Sequence, residues 1–388
     1  LHKSNGMVMS YSNVVGHRSM VFDGIRNAAY TRALEKAITP DTTVMDLGAG
    51  LGLHGLIAAR LGADKVYLVE PTAAIEVARK VAADNQLAQV ECLQATVEEL
   101  KLDSRVDVIV SVFTGNFLLT EDLLPSLFHA RDNFLAPGGQ MIPDRGRMEV
   151  VPVSAPDYYQ KHVDAWGDFP DTCKEQGLPE LDYAAMRAYA ANCMSYDSAK
   201  HMAAEQLATP AALMELDFIT ATRADCDTQL EVSIEQDGLC HGWMGWFQMR
   251  LGDEWLSTSG DPTPTHWCPV FLPLEEPIEV KAGDQVQFAL KRAEYGEWTW
   301  TTTHGERKQR QSTFLSQPLT PAHMQKASEN YQPTLSERGM AAKWLLSKMD
   351  GSAAVGDLAG QLRKAFPQLY SSDAQALKHV RDIAERFS

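Results

Sequence analysis

Val44-Met45-Asp46-Leu47-Gly48-Ala49-Gly50-Leu51-Gly52-Leu53-His54-Gly55 is the stretch on which the fold turns. An apolar run gives way to closely spaced glycines, and then to Leu53–Leu61, whose apolar residues recur at helical spacing. Glycines between a strand and a helix let the chain turn sharply and let a ligand lie against bare main chain. Two ligands compete for such a loop. Gly50-x-Gly52-x-x-Gly55 matches the dinucleotide fingerprint, in which a helix N-terminus receives a pyrophosphate. Asp46-x-Gly48-x-Gly50-x-Gly52 matches a loop for S-adenosylmethionine, which carries a sulfonium and an ammonium. A carboxylate in the loop repels pyrophosphate and attracts a cation, so Asp46 favours the second ligand. A turn with no ligand is the weaker reading, because so many glycines weaken a helix start without any packing gain.

Outward from the loop, Thr43–Leu47, Lys65–Glu70, Val90–Ala95 and Asp107–Ser111 read as strands, with helices at Leu53–Leu61 and Ala73–Asn85. This alternation predicts a parallel sheet with helices on both faces. Glu70, ending the second strand, is placed to accept hydrogen bonds from ribose hydroxyls with either ligand. A further helix is expected over Glu121–Phe134, stopped by Ala136–Gly139. Beyond Pro143 the texture changes. Met148–Val153, Leu213–Thr222, Gln229–Gln236, Trp243–Leu251, Val270–Leu274, Ile278–Val280 and Gln285–Lys291 look extended, and turn pairs such as Asp237-Gly238 and Gly283-Asp284 punctuate them. Many short strands predict an antiparallel barrel or sandwich. About 164–206 reads as a helical insertion, Pro318–Pro333 as a linker, and the chain from Thr334 as helical again. The expected domains are therefore an α/β domain over 1–143, an antiparallel β domain over 144–320 with its helical arm, and a helical module over 334–388.

The formal charge is −16, from 51 acids against 35 bases, the opposite of what phosphate neutralisation requires, so nucleic acid is not an expected partner. No apolar run approaches the ~18 residues of a membrane-spanning helix, and the opening LHKSNGMVMS has no apolar core of a signal peptide. The six cysteines lie far apart with no C-x-x-C pair, which predicts neither a metal site nor a disulfide framework and suits a reducing cytoplasm.

Several segments then carry a family resemblance. VGHRSMVFDGIRNAAY (Val15–Tyr30), VMDLGAGLG, VEEL (Val97–Leu100), ARDNFLAPGGQMIPDR (Ala130–Arg145) and THW (Thr265–Trp267) followed by VFLPLEEPIEVKAGD occur in the order seen in protein arginine methyltransferases. Together they span about residues 10 to 317, and the chain resembles that family of S-adenosylmethionine enzymes. The resemblance implies a Rossmann-like methyltransferase domain followed by a β-barrel with a helical arm, and dimerisation through that arm. It also implies residue roles. Arg26 would bind the donor carboxylate, His17 and Met20 would lie along the donor, and Asp46, Gly48 and Gly50 would form its loop. Glu70 would hold the ribose and Glu98 the adenine amine. Asp23 and His266 would pair beside the substrate, with Asn116 and Trp267 lining it. Bland alternatives are a surface helix cation for Arg26 and a satisfied core histidine for His266.

One departure bears on chemistry. The family's substrate loop carries two glutamates that grip a guanidinium. In Ser111-Val112-Phe113-Thr114-Gly115-Asn116-Phe117-Leu118-Leu119-Thr120-Glu121 the first position holds Val112 and the second keeps Glu121. Losing one partner of a buried ion pair typically costs ~3–5 kcal/mol, so generic arginine-rich substrates are expected to be poor. Glu121 also reads as a first-turn helix acid behind a Thr120 cap.

In the tail, Leu345, Leu346, Met349, Val355, Leu358, Leu362 and Phe366 form an expected buried stripe. Its M-D-G-x-x-x-V-x-x-L-x-x-x-L-x-x-x-F-P pattern is similar to small helical peptide-binding domains of pyrroloquinoline quinone biosynthesis. The leading expectation is an S-adenosylmethionine-dependent methyltransferase acting on a peptide or protein side chain. A small-molecule methyltransferase and a non-catalytic binding protein of the same fold are the alternatives.

Overall fold

The computed structural model describes residues 14–260 and 264–387. The opening decapeptide, and the first few residues of the segment matched from about residue 10, lie outside the described residues. Two compact units meet in sequence at Pro318 and Leu319.

The larger unit begins with a short helix, Arg18–Val21, and a longer one, Gly24–Ala37. The second is capped by Asp23, whose side chain accepts the Arg26 N–H. Ala29, Tyr30, Ala33 and Leu34, at helical spacing, are its buried apolar face. Five parallel strands follow: β1 (Thr43–Leu47), β2 (Lys65–Val69), β3 (Val90–Leu93), β4 (Val106–Ser111) and β5 (Leu135–Ile142). Their order is β3-β2-β1-β4-β5, so the chain builds outward from β1 on one side and then returns to its other flank. Ligands of such sheets bind beyond the carboxyl ends of the strands where the order reverses. Here that point lies between β1 and β4. The glycine loop after β1 and the Val112–Glu121 loop after β4 therefore leave neighbouring strand ends, although they lie far apart in sequence.

Two expectations about this region are corrected. The helix expected from Glu121 begins at Leu124, because Asp122 takes a left-handed backbone (φ 56°) that no α-helical turn accommodates. Ala136–Gly139 does not stand outside the elements as a stop: the helix ends at Phe134, and those residues lie inside β5, in the irregularity between Leu135 and Gln140, which pair with β4.

The second half is antiparallel, in two sheets. One has the order β7-β13-β11-β6-β8, built from β6 (Arg145–Ser154), β7 (Ser195–Tyr196), β8 (Glu205–Gln206), β11 (Gly238–Leu251) and β13 (Val270–Val280). β9 (Ala211–Asp217) joins β6, and β12 (Glu254–Ser257) joins β11. The other sheet runs β10 (Cys226–Ser233), β14 (Gln285–Arg292), β15 (Thr299–His304), β16 (Arg307–Ser312). β13 is continuous where two strands were expected, and β15 and β16 were not anticipated. The expected arm is only partly helical: helices at Phe169–Gln176, Ala185–Ala190 and Ala199–Met202 alternate with β7 and β8, which join the sheet.

The smaller unit opens with a helix, Pro321–Lys326, inside the expected linker, started by the Thr320 side chain accepting the His323 N–H. Helices Glu337–Leu346, Val355–Ala365 and Asp373–Phe387 then enclose Ala341, Leu345, Leu358, Leu362, Tyr370, Ala376 and Val380. Leu346 and Val355, assigned to the buried stripe, are exposed (41% and 37%). Leu346 lies about 100° around the helix from buried Leu345, and Val355 is the first residue of its helix.

Candidate functional site

Three glycines of the loop after β1 have left-handed backbones: Gly48 (φ 68°), Gly50 (φ 55°) and Gly52 (φ 83°). A side chain is strained at each. A Cβ at Gly48 would also lie 2.2 Å from the Phe113 ring, and one at Gly50 would lie 2.9 Å from His17. The turn is pinned to β2, since the Gly48 and Ala49 N–H groups both donate to the Val69 carbonyl (2.9 and 3.0 Å). Asp46 is buried at the end of β1, its Oδ2 accepting the Gly55 N–H at 2.7 Å. Burial, with Glu70 adding its charge, pushes the Asp46 carboxyl up to about 7 against the lowering effect of that hydrogen bond. Glu70 accepts the Gly50 N–H (3.0 Å) and the Thr72 N–H (2.9 Å), so the carboxylate is fixed at the lip of the loop.

Arg26 reaches this region from the Gly24–Ala37 helix and is 4% exposed, which removes the surface-cation reading. Its Nη2 donates to the Met20 carbonyl (2.7 Å) and its Nε to Asn27 Oδ1 (3.0 Å), while its guanidinium faces the Trp267 ring. Burial lowers its pKa, with Asp23 and Asp46 opposing. With both ionised, the Asp46 and Glu70 carboxylates and the Arg26 guanidinium carry a net charge of −1. That set complements S-adenosylmethionine, whose ammonium, sulfonium and carboxylate sum to +1, and opposes a pyrophosphate. His17 is buried against the same loop, and Met20 is half-buried beside it in sequence.

The Asp23–His266 pair forms as expected. Asp23 Oδ2 accepts both the His266 N–H and His266 Nδ1 at 2.8 Å, and Oδ1 accepts the Arg26 N–H at 2.9 Å. Burial works to raise the Asp23 carboxyl, but the hydrogen bonds from His266 and Arg26 outweigh it and hold it below the ordinary carboxylate value. Burial lowers the His266 imidazole despite Asp23. The pair is therefore a carboxylate and a neutral imidazole. Assigning Nδ1–H as the donor to Asp23 leaves Nε2 as a proton acceptor.

Several bonds bring the loop after β4 to the same place. Asn116 Oδ1 accepts the Cys268 N–H (2.9 Å), and Trp267 Nε1 donates to the Thr114 carbonyl (3.1 Å). Tyr30 Oη donates to the Ser111 carbonyl (2.9 Å). Asn116 thus uses its side-chain oxygen as a latch, and Trp267 is a buried wall packed on Phe247. Val112 and Phe113 pack against the apolar core. Glu121 is half-buried and precedes the Leu123 helix cap by two residues, so it is not the first-turn acid of that helix. Glu98 stands apart, accepting the Ser126 hydroxyl at 2.6 Å. Although burial works to raise its carboxyl, that bond and its neighbours lower it.

Sequence reasoning overlooked Asn27, Tyr30, Ser126 and Arg292. Asn27 and Tyr30 follow Asp23 and Arg26 at helical spacing, a signal that was available. Ser126 and Arg292 meet their partners only through tertiary packing.

Comparison with known proteins bears on the family and the fold. Residues 44–139 match a family described as a methyltransferase domain, and residues 144–298 match the arginine methyltransferase oligomerization subdomain. Protein arginine N-methyltransferase 6 of Danio rerio is 31% identical over 291 residues, covering 72% of this chain and 81% of its own length. The Xenopus laevis protein of the same name is 30% identical, covering 70% and 81%. Among solved structures, Arabidopsis thaliana protein arginine methyltransferase 10 superposes with a TM-score of 0.66 at 25% identity, over 79% of this chain and 99% of that one. The Trypanosoma brucei PRMT1 enzyme–prozyme complex with AdoHcy gives a TM-score of 0.70 at 24% identity, over 78% and 99%.

Proposed function

This chain belongs to the protein arginine methyltransferase family and is an S-adenosylmethionine-dependent methyltransferase, and from that premise we propose that it methylates a side chain of a specific peptide or protein. The cofactor supplies an electrophilic methyl group on a sulfonium. Arg26 binds its carboxylate, Asp46 its ammonium, Glu70 its ribose and Glu98 its adenine amine, with His17 and Met20 alongside. Glu121 holds the acceptor, and Trp267 and Asn116 shape the pocket around it. His266 Nε2 accepts the proton that the acceptor loses, and Asp23 stabilises the imidazolium so formed. Orientation supplies most of the rate, because methyl transfer needs an in-line nucleophile.

The observation that carries this reading is the 2.8 Å Asp23–His266 contact, which joins the helix bearing Arg26 to the segment latched onto the Glu121 loop. Arginine is the first acceptor to test, because the relatives are named protein arginine N-methyltransferases. With Val112 in place of a second carboxylate, a particular sequence must present it. The test is labelled donor with peptide and protein libraries, and mass spectrometry to locate the methyl group. Calorimetry finding no binding of the donor or its demethylated product would sink the proposal.

Two associations complete it. The arm, with exposed Leu178, Leu181 and Tyr183, supports a homodimer, which sedimentation showing only monomer at micromolar concentration would refute. The small helical unit, with a groove lined by Gly356, Ala359, Gly360 and Leu377, is proposed to capture the substrate peptide. A Cβ at Gly360 meets open space, so Gly360→Arg should fold, obstruct the groove and lower turnover with donor affinity unchanged. Unaltered turnover would remove that role. Six unpaired cysteines support a reducing, cytoplasmic setting.

A further inference from the structure

Inward positions on β14 alternate with outward ones: Val286, Phe288, Leu290 and then Arg292 face the core. A guanidinium thus occupies a place that the strand period reserves for an apolar side chain. Arg292 is 3% exposed, and its Nε and Nη1 have no hydrogen-bond partner among the described residues. Its Nη2 donates to Asp122 Oδ1, and its guanidinium lies over the Trp298 ring, 5.1 Å from the centroid. Trp298 in turn packs on Phe117, inside the loop after β4. The Tyr295 N–H also donates to Asp122 Oδ1, at 3.1 Å. One carboxylate is thereby held by two groups of the β14–β15 segment.

Asp122 follows Glu121 directly and has a left-handed backbone (φ 56°), an uncommon state for a residue with a side chain. Left-handed residues lie within this loop at Leu118 (φ 54°) and just past it at Asp122, so its shape depends on what holds those positions. A buried ion pair with unmet donors is a poor source of stability; its better-attested use is to impose one arrangement out of several.

We propose that the Arg292–Asp122 ion pair is a positioning device that fixes the left-handed turn from which Glu121 projects, so both residues act on methyl transfer through Glu121. Arg292 and Asp122 are positioning residues and touch neither the donor nor the acceptor. This rests on the proposed role of Glu121 in holding the acceptor.

The test uses Asp122→Asn, Arg292→Gln and the double variant of the full chain. Asn tolerates a left-handed backbone as Asp does, so Asp122→Asn removes the charge without adding strain. Each single variant should lower kcat on the acceptor peptide by about 100-fold, as a misplaced group does, with donor affinity within twofold. The double variant should be no worse than either single, because both remove one clasp. Arg292→Lys should recover part of the loss. Amide hydrogen exchange over Gly115–Leu123 should quicken in both singles and stay unchanged elsewhere. Unchanged turnover in Asp122→Asn, equal loss of donor affinity, or multiplying losses in the double variant would each overturn the proposal. If the unmodified protein methylates no library member, the functional reading fails instead, and the exchange measurement alone decides the clasp: unaltered exchange over Gly115–Leu123 rejects it.

Discussion

The proposed donor side and the proposed acceptor side of this site are built by different means. Asp46, Gly48, Gly50 and Glu70 come from the ends of two adjacent strands, and main-chain hydrogen bonds to Val69, Gly50 and Gly55 hold them. Glu121, Asn116, Asp23 and His266 come from beside a left-handed turn, a loop, a helix cap and the stretch just before β13, and bonds between residues distant in sequence tie Asn116 to Cys268 and Asp23 to His266. A site made from strand ends tolerates little change, whereas a site made from loops can change one side chain and leave the other half intact. The two halves should therefore fail separately.

The sharpest break is Glu121→Gln. The amide keeps the shape and removes the charge, so turnover should fall about 100-fold or more while calorimetric donor affinity stays the same. Full activity would return Glu121 to a structural role. Next in size is Glu70→Ala. It removes the acceptor proposed for the ribose hydroxyls and frees the Gly50 and Thr72 N–H groups. Charged hydrogen bonds contribute about 1.5–3 kcal/mol, so donor affinity should drop about 100-fold. Unchanged affinity, or tight binding of a nicotinamide dinucleotide, would overturn the donor assignment.

The same division explains what could be read from sequence. β1 and the helix from Leu53 appear where expected, because strand period, glycine spacing and helix period all agree there. The Asp23–His266 pair was legible only through the family resemblance, since nothing local links residues that distant. The late helix start at Leu124 was not legible: Thr120-Glu121-Asp122 looks like a cap, and the Arg292 contact with Asp122 is tertiary. Arg292 itself was hidden because its inward position depends on the exact register of β14.

A third test concerns protons. The Asp46 carboxyl sits at about 7, raised by burial from an ordinary value near 4. The folded protein therefore holds this proton more tightly than the unfolded chain does, and the stability linked to it declines as pH rises from about 4 to about 7. In the proposed site, the donor's ammonium pairs with the ionised form. Donor affinity should fall about tenfold between pH 8 and pH 6 by this linkage, with proton release on binding seen as a buffer-dependent heat. Asp23 has the opposite sign: lowered when folded, it contributes stability above its unfolded value and loses it as pH falls through the folded one. A flat affinity profile from pH 6 to 8 would remove Asp46 from contact with the ammonium.

The smallest effect expected is the most telling for the acceptor side. Unmodified protein should methylate a generic Gly-Arg-rich peptide poorly, because one loop carboxylate neither offsets nor orients a delocalised guanidinium as two do. Val112 is half-buried against the core, so Val112→Glu sets a carboxylate partly in apolar surroundings and should lower the melting temperature by a few degrees, about 1 kcal/mol. When a guanidinium enters, that carboxylate gains a partner. Activity on the generic peptide should then rise a few-fold, an amount limited by how far the introduced side chain must swing from the core to face Glu121. Donor affinity should not move, since the β1 and β2 strand ends are untouched. Robust methylation of the generic peptide by the unmodified protein would show that the acceptor side offsets the missing charge elsewhere. No gain in Val112→Glu, with stability retained, would show that position 112 does not face the acceptor at all.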